Sequence, residues 1–178
     1  MRFIEVTERP ACLIQQLVQV WERSVKATHL FLSAEERKAI RQYVPQALQA
    51  VPHLVVAEDE DGNPAGFMGI EGQALAMLFL APEARGKGLG KQLLQWGIQQ
   101  YRVCELAVNE QNPLAKGFYE HMGFRTYRRT EQDEQGNPYP LCYMRLQEIA
   151  PLPFPASGVP EGKQTVQGGR TPAQNPNK

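Results

Sequence analysis

The sequence predicts a mixed α/β fold built around a single core, and three observations lead to that prediction. In some segments apolar residues recur every three to four positions, the period of a helix, and in others they alternate or run continuously, as in strands. The helical and strand-like segments are interspersed along the chain. The 178 residues are 42% hydrophobic and 21% charged, which is typical of an ordinary globular domain.

The chain begins with a predicted strand followed by a helix. Residues 3–7 are strand-like. After them Leu13, Leu17 and Trp21 recur every four positions and form one apolar stripe. This stripe predicts a helix that extends to about Lys26.

A capping sequence marks the next predicted helix. Residues 33–36 read Ser-Ala-Glu-Glu, in which the hydroxyl and the last carboxylate can each bind a free backbone N–H group. They predict a helix that continues to about Ala50. Residues 27–32 connect the two helices.

Strand patterns follow. Residues 54–57 and 65–71 are strand-like and flank an Asp-Gly-Asn-Pro turn at 61–64, which predicts a hairpin. Residues 74–80 are apolar on both faces and predict a central strand that ends before Pro82.

The second half repeats the alternation of helices and strands. The predicted segments are a helix from residue 89 to 101, a strand at 103–108, a helix at 112–122 and strands at 124–129 and 141–147. The predicted order is therefore β-α-α-β-β-β-α-β-α-β-β.

Composition changes near the end of the chain. Residues 151–178 contain six prolines and four glycines with few apolar residues, so we expect a tail that follows a domain formed by residues 1–150. One acid and three bases give the tail a charge of +2, which leaves −2 for the domain and zero for the whole chain. A neutral chain has no long-range attraction for nucleic acid or an anionic membrane, and neither partner is expected.

Short-range patterns disfavour disulfide-stabilised, metal-binding, secreted and membrane proteins. The three cysteines are isolated and do not fit a CxxC or Cys/His spacing, so we expect neither a disulfide framework nor a metal. The first residues turn acidic at Glu5 and are not typical of a signal peptide. No run reaches about 18 apolar residues. These features predict a cytoplasmic protein.

A glycine-rich loop between the central strand and the following helix is the strongest functional signal. Glycines allow backbone N–H groups to turn toward an anion, and a helix N-terminus adds a partial positive charge. Three basic side chains surround this loop. The loop residues are Arg85, Gly86, Lys87, Gly88, Leu89, Gly90 and Lys91.

Other interpretations of this loop can be tested by spacing. A Walker loop needs Gly-Lys followed by Ser or Thr, and neither Lys87 nor Lys91 is placed in that way. A dinucleotide turn needs GxGxxG, whereas these glycines are spaced GxGxG, although Glu110 mimics the ribose-binding acid of that fold. On the loop alone, a glycine-rich corner without a ligand remains an alternative.

A second motif lies downstream of the glycine-rich loop. With both motifs, the chain resembles the GNAT (GCN5-related N-acetyltransferase) superfamily. The family's Arg/Gln-x-x-Gly-x-Gly/Ala motif is matched by Arg85, Gly88 and Gly90. Its later motif, an Asn after a strand and a helical Tyr before Gly-Phe, is matched at Asn112 and Tyr119. The resemblance covers residues 1 to about 147. Three segments look closest to the small bacterial YjaB-type members: residues 24–32, 108–112 and 138–141.

The resemblance implies a fold and a cofactor. It implies a mostly antiparallel twisted sheet of about seven strands, four helices on its faces, and strands 4 and 5 splayed around acetyl-CoA. Backbone groups of Leu78, Phe79 and Leu80 would pair with the pantetheine arm, residues 85–91 would hold the pyrophosphate, and Asn112 would touch the pantetheine. Asn112 is also well placed as a helix N-cap.

The resemblance also implies a reaction. Tyr119 would contact the cofactor and matches the general acid that protonates the departing thiolate, while the base is open. Residues 74–81 contain no acid and Ala107 occupies a place where some members keep one, so the candidates are His29, Glu71 and Glu110. Histidine titrates in the right range.

These implications predict an enzyme that acetylates a primary amine by direct attack in a ternary complex. Acceptors could be small molecules or peptides, and a protein N-terminal or lysine acetyltransferase is one alternative. A sensor that binds CoA or acyl-CoA with little catalysis is another. The protein is expected to be a monomer or homodimer, and the acceptor is not identified by sequence.

Overall fold

The computed structural model describes residues 1–147, so the predicted tail and the domain boundary near residue 150 lie outside the described residues. The strands are β1 (Arg2–Glu5), β2 (His53–Glu58), β3 (Pro64–Glu71), β4 (Ala74–Leu80), β5 (Glu105–Asn109), β6 (Phe124–Thr130) and β7 (Leu141–Leu146). The helices are α1 (Ala11–Thr28), α2 (Ala34–Arg41), α3 (Val44–Ala50), α4 (Leu89–Tyr101) and α5 (Pro113–His121).

The seven strands form one sheet in the order β1-β2-β3-β4-β5-β7-β6. Every neighbouring pair is antiparallel except β4 and β5, which are parallel. The predicted mixed α/β class with a mostly antiparallel sheet is confirmed. Within residues 1–147, no helix is both long and apolar enough to cross a membrane.

The second predicted helix is divided into two. Its capping box is present, since Ser33 Oγ accepts a hydrogen bond from the Glu36 N–H at 3.1 Å and Glu36 Oε2 accepts one from the Ser33 N–H at 2.7 Å. However, α2 ends at Arg41, and α3 begins at Val44 with Pro45 in its first turn. Proline lacks an N–H group and its ring clashes with the carbonyl four residues earlier, which kinks or breaks a helix, and here the helix is broken.

The helices cover both faces of the sheet. Phe67 of β3 and Phe79 of β4 lie on one face, where Trp21 of α1 packs edge-on against Phe79 with ring centroids 6.5 Å apart. Because side chains alternate along a strand, Met68 points to the opposite face. There it lies against Gly97 of α4, at which an added Cβ would be 3.0 Å from the Met68 Cε. The core is therefore formed on both sides of β3.

Strands β4 and β5 separate soon after they begin. They pair only through Ala74 with Glu105 and Leu75 with Leu106. The pairing of β3 with β4 shifts register at the same place, where Ala76 is the extra residue. A bulge of this kind bends its strand. From Ala76 onward, the β5-facing edge of β4 has no strand partner among residues 1–147, and the predicted splay of strands 4 and 5 is confirmed.

One glycine of β3 fixes the position of the free part of β4. A Cβ added to Gly66 would lie 2.5 Å from Leu80 Cδ2 and 2.9 Å from the backbone oxygen of Phe79. We expect Gly66→Ala to lower the free energy of unfolding by about 1–3 kcal/mol, because the backbone of β4 must move. Urea denaturation measures this change.

A helical glycine provides the control for Gly66→Ala. Gly117 of α5 has no atom within 4 Å of an added Cβ. Gly117→Ala should therefore be neutral or stabilising by up to about 1 kcal/mol, since alanine favours helix. Equal losses of stability in the two variants would contradict the close contact between β3 and β4.

Candidate functional site

A cavity of about 510 Å³ lies beside the free part of β4. Its walls come from β4, the loop that follows it, the start of α4, the end of α1 and α5. A smaller cavity of about 130 Å³ lies between β4 and β5 where the strands separate. The two cavities adjoin, because six residues line both: His29, Leu78, Phe79, Asn112, Ala115 and Tyr119.

The glycine-rich loop forms a turn in the wall of the larger cavity. Gly86 and Gly88 have φ angles of 72° and 78°, in the left-handed region that favours glycine. The first backbone bond of α4 runs from the Gln92 N–H to the Gly88 oxygen at 3.0 Å. The N–H groups of residues 88–91 have no hydrogen-bond partner within residues 1–147. With the helix dipole behind them, these N–H groups can bind a phosphate.

Arg85 is oriented toward α1. Its Nη2 donates to the backbone oxygen and the Oγ of Ser24, at 3.1 and 2.7 Å, and lies 3.4 Å from the Leu80 oxygen. Its Nε and Nη1 form no hydrogen bond with residues 1–147, and the residue lines the larger cavity. Sequence reasoning did not find Ser24, whose side chain is buried. No local pattern links two positions that are 61 residues apart.

Asn112 is a buried residue that faces both cavities. Its Oδ1 accepts a hydrogen bond from the Ala115 N–H at 3.2 Å, so it caps α5 as expected. Its side-chain nitrogen makes no hydrogen bond to the part of the chain that the structure describes. The same side chain can therefore hold the helix and donate to a ligand.

Tyr119 is a buried residue that lines both cavities. The residue is 8% exposed, and its ring packs edge-on against Phe118 and Phe124 at centroid distances of 5.2 and 6.1 Å. The hydroxyl has no hydrogen-bond partner within the described range. Burial raises the pKa of Tyr119 above its usual value, so the phenol stays protonated. It is a hydrogen-bond donor whose partner would be a ligand.

His29 lines both cavities from the connection after α1. Burial, and secondarily the charge of Arg85, lower the pKa of His29. Its ring packs on Phe31 at 5.4 Å, and Phe31 packs on Tyr139 at 5.6 Å. The Tyr139 hydroxyl also hydrogen-bonds to Glu36. The α1–α2 and β6–β7 connections are thus joined beside His29.

The two acidic candidates for the base lie elsewhere. Arg129 donates to both carboxylate oxygens of Glu110, at 2.8 and 2.7 Å, and this bonding lowers the pKa of Glu110. Glu71 is exposed at the end of β3 and lines neither cavity. Of the three candidates, His29 alone shares a cavity with Tyr119.

A groove of about 570 Å³ meets the smaller cavity from another direction. Leu75, Ala76 and Ala107 line both spaces. The charged residues that line the groove are four carboxylates and one guanidinium: Glu71, Glu105, Asp133, Glu134 and Arg128. Arg145 donates to Glu105 at 2.9 Å, and the other three carboxylates still outnumber Arg128, so the groove is suited to a cation. Sequence reasoning considered Glu71 only as a base and missed the other acids, which come together through the folding of β5 and the β6–β7 connection.

A family model described as the acetyltransferase (GNAT) domain matches residues 16–146. The splayed strands and the glycine-rich turn lie within the matched segment and are consistent with this family. The chain belongs to the GNAT superfamily. It is an N-acetyltransferase whose acetyl donor is acetyl-CoA.

Similar proteins give more detail. The chain is 43% identical over 127 residues to the peptidyl-lysine N-acetyltransferase YjaB of Escherichia coli, covering 71% of this chain and 86% of that protein. It is 41% identical to the YjaB protein of Salmonella typhimurium, again covering 71% of this chain and 87% of the relative. The solution structure of apo YjaB from Escherichia coli has a TM-score of 0.73 at 39% identity, covering 82% of this chain and 97% of that structure. A complex of the PaiA acetyltransferase from Thermoplasma acidophilum with coenzyme A has the same fold at 21% identity, with a TM-score of 0.63, 83% of this chain covered and 100% of that structure.

Proposed function

We propose that this enzyme acetylates the side-chain amine of lysine in peptides or proteins, by direct attack in a ternary complex. One observation carries the proposal: a cavity with a phosphate-binding turn and a groove lined by acids meet where β4 and β5 separate. Because Leu75, Ala76 and Ala107 line both the groove and the smaller cavity, a lysine side chain that enters from the groove would point toward a thioester between the strands. The YjaB relatives, named as peptidyl-lysine acetyltransferases, support the same acceptor.

The proposed cofactor site runs from the free strand edge to the start of α4. The pantetheine arm lies along Leu78, Phe79 and Leu80 of β4, with Asn112 donating to it from the other side. The pyrophosphate is held by the loop, whose residues are Arg85, Gly86, Lys87, Gly88, Leu89, Gly90 and Lys91. The thioester is then beside Tyr119.

In the proposed reaction, His29 takes a proton from the lysine ammonium, and the neutral amine attacks the carbonyl carbon. Collapse of the tetrahedral intermediate breaks the C–S bond and the attacking nitrogen loses its second proton to solvent, which leaves a neutral amide, while Tyr119 donates a hydrogen bond to the sulfur as it leaves. A phenol of pKa about 10 is a weaker acid than a thiol of about 8.5, so full transfer is uphill by roughly 2 kcal/mol. Because burial raises the pKa of Tyr119 further, its main contribution is a hydrogen bond to the developing thiolate.

Release of free CoA thiol from acetyl-CoA tests the function. The decisive pair is a peptide with one internal lysine and a blocked N-terminus, and the same peptide with arginine for lysine and a free N-terminus. We expect turnover only with the first. Turnover only with the second would indicate an N-terminal acetyltransferase, turnover only with small amines a small-molecule enzyme, and tight CoA binding without any turnover a sensor.

The acidic groove predicts a preference among lysine peptides. We expect arginines on either side of the lysine to lower KM about tenfold relative to glutamates, equivalent to about 1.4 kcal/mol. The preference should weaken as salt is added, because exposed charges are screened. An equal KM for the two peptides at low salt would contradict the assignment of the groove to the acceptor.

A further inference from the structure

A chain of hydrogen bonds joins the phosphate-binding loop to His29. Arg85 Nη2 donates to the Ser24 backbone oxygen at 3.1 Å. One helical turn later, the Thr28 Oγ1 lies 2.9 Å from that same oxygen. The Thr28 Oγ1 also lies 2.9 Å from the Nδ1 of His29. The Thr28 hydroxyl is therefore within hydrogen-bond distance of both the Ser24 oxygen and the His29 ring.

Geometry favours one arrangement of the protons in this chain. The Ser24 oxygen is a carbonyl and can only accept, and two oxygens 2.9 Å apart need a hydrogen between them, so the single hydroxyl hydrogen of Thr28 is assigned to this bond rather than to Nδ1. Toward His29 the Thr28 oxygen then accepts, and the corresponding tautomer of His29 carries its proton on Nδ1. A neutral imidazole that is protonated on Nδ1 has its lone pair on Nε2.

We propose that Thr28 is a positioning residue that holds His29 in the Nδ1–H tautomer, so that Nε2 takes the proton of the acceptor ammonium. This inference rests on the proposed function. In the step, an N–H bond of the ammonium breaks and one to Nε2 forms, which gives a neutral amine and an imidazolium. Nδ1–H remains bonded to Thr28 throughout. Without that partner, an imidazole ordinarily prefers its proton on Nε2, where it blocks this role.

The surroundings of His29 keep the ring neutral before the acceptor arrives. Arg85 approaches from the loop after β4, Tyr119 faces the same cavity from α5, and the hydrogen-bonded pair of Glu36 and Tyr139 lies beyond Phe31. Burial and the Arg85 charge lower the pKa of His29. The acidic limb of kcat/KM should therefore lie below the ordinary histidine range. Arg85→Gln, which removes the charge, should move that limb to higher pH.

Nitrogen NMR of the full chain labelled with 15N-histidine reads the tautomer directly. His29→Gln assigns the resonances. In the original protein we expect a protonated Nδ1 and an unprotonated Nε2 for His29 at neutral pH, and in Thr28→Val a shift to Nε2–H. Thr28→Ser, which keeps the hydroxyl, should restore the Nδ1–H form. A predominant Nε2–H form in the original protein overturns the proposal whether or not an acceptor is known.

Kinetics supply the second measurement. We expect Thr28→Val to lower kcat/KM about tenfold, compared with 100-fold or more for His29→Ala, while the Kd for CoA is unchanged. Thr7→Val is the matched control, because Thr7 is exposed between β1 and α1. A Thr28→Val protein with an altered tautomer and full activity overturns the role of His29 as base. If no amine is acetylated but the tautomer responds as expected, the proposed function fails and the hydrogen-bond chain stands.

Discussion

Tyr119→Phe is expected to bind acetyl-CoA with unchanged affinity and to turn it over at least about 100-fold more slowly, the usual contribution of a positioned proton donor. The ring of Tyr119 packs between Phe118 and Phe124, so phenylalanine preserves the apolar wall. The hydroxyl has no partner in residues 1–147, and its removal therefore breaks no internal hydrogen bond. Steady-state thiol release gives kcat, and calorimetry with CoA gives the Kd.

The control for this prediction is another tyrosine. Tyr43 is 69% exposed, between α2 and α3, and Tyr43→Phe should change neither kcat nor the Kd. A loss confined to kcat in Tyr119→Phe means that the hydroxyl acts after the cofactor binds. A parallel rise in the Kd for CoA would instead mean that Tyr119 holds the cofactor, and an unchanged kcat would contradict its role as donor.

Local patterns predicted most of the secondary structure. The apolar stripe at Leu13, Leu17 and Trp21 and the capping box at Ser33 each act within a few residues, so their physical cause is visible in the sequence. The division of the second helix was missed because Pro45 is tolerated in a first helical turn and can equally start a new helix. The splay of β4 and β5 was expected only from the family resemblance. The bulge at Ala76, which accompanies the splay in the structure, depends on pairing between strands that are separate in the sequence.

The candidate site was predictable to the extent that it uses the backbone. Positive φ at Gly86 and Gly88 is required by the turn, and glycine is the residue that adopts it at least cost. The bond from Arg85 to Ser24 and the acid-lined groove depend on long-range folding, and no spacing in the sequence encodes them. The roles of Asn112, Tyr119 and His29 remain predictions. The structure adds that the three residues line the same cavities.

Gly88→Asp is expected to weaken acetyl-CoA binding by about 100-fold, or close to 2.7 kcal/mol. Gly88 precedes the first turn of α4, where the N–H groups of residues 88–91 are unpaired among the described residues. A new carboxylate there would repel the pyrophosphate and compete with it for these N–H groups. The side chain has room, since the nearest atom to an added Cβ is Gln92 Nε2 at 3.7 Å. Calorimetry with CoA measures the loss.

Gly88→Asn separates charge from backbone strain. Asparagine has almost the same shape as aspartate and also tolerates the left-handed conformation, so both variants carry a similar strain at φ 78°. The additional loss of CoA affinity in Gly88→Asp, compared with Gly88→Asn, is then electrostatic. This additional loss should shrink in high salt and be much smaller for acetyl-pantetheine, which has no pyrophosphate. Equal losses for CoA in the two variants, or equal losses for CoA and acetyl-pantetheine, would mean that the turn shapes the cavity without holding the phosphates.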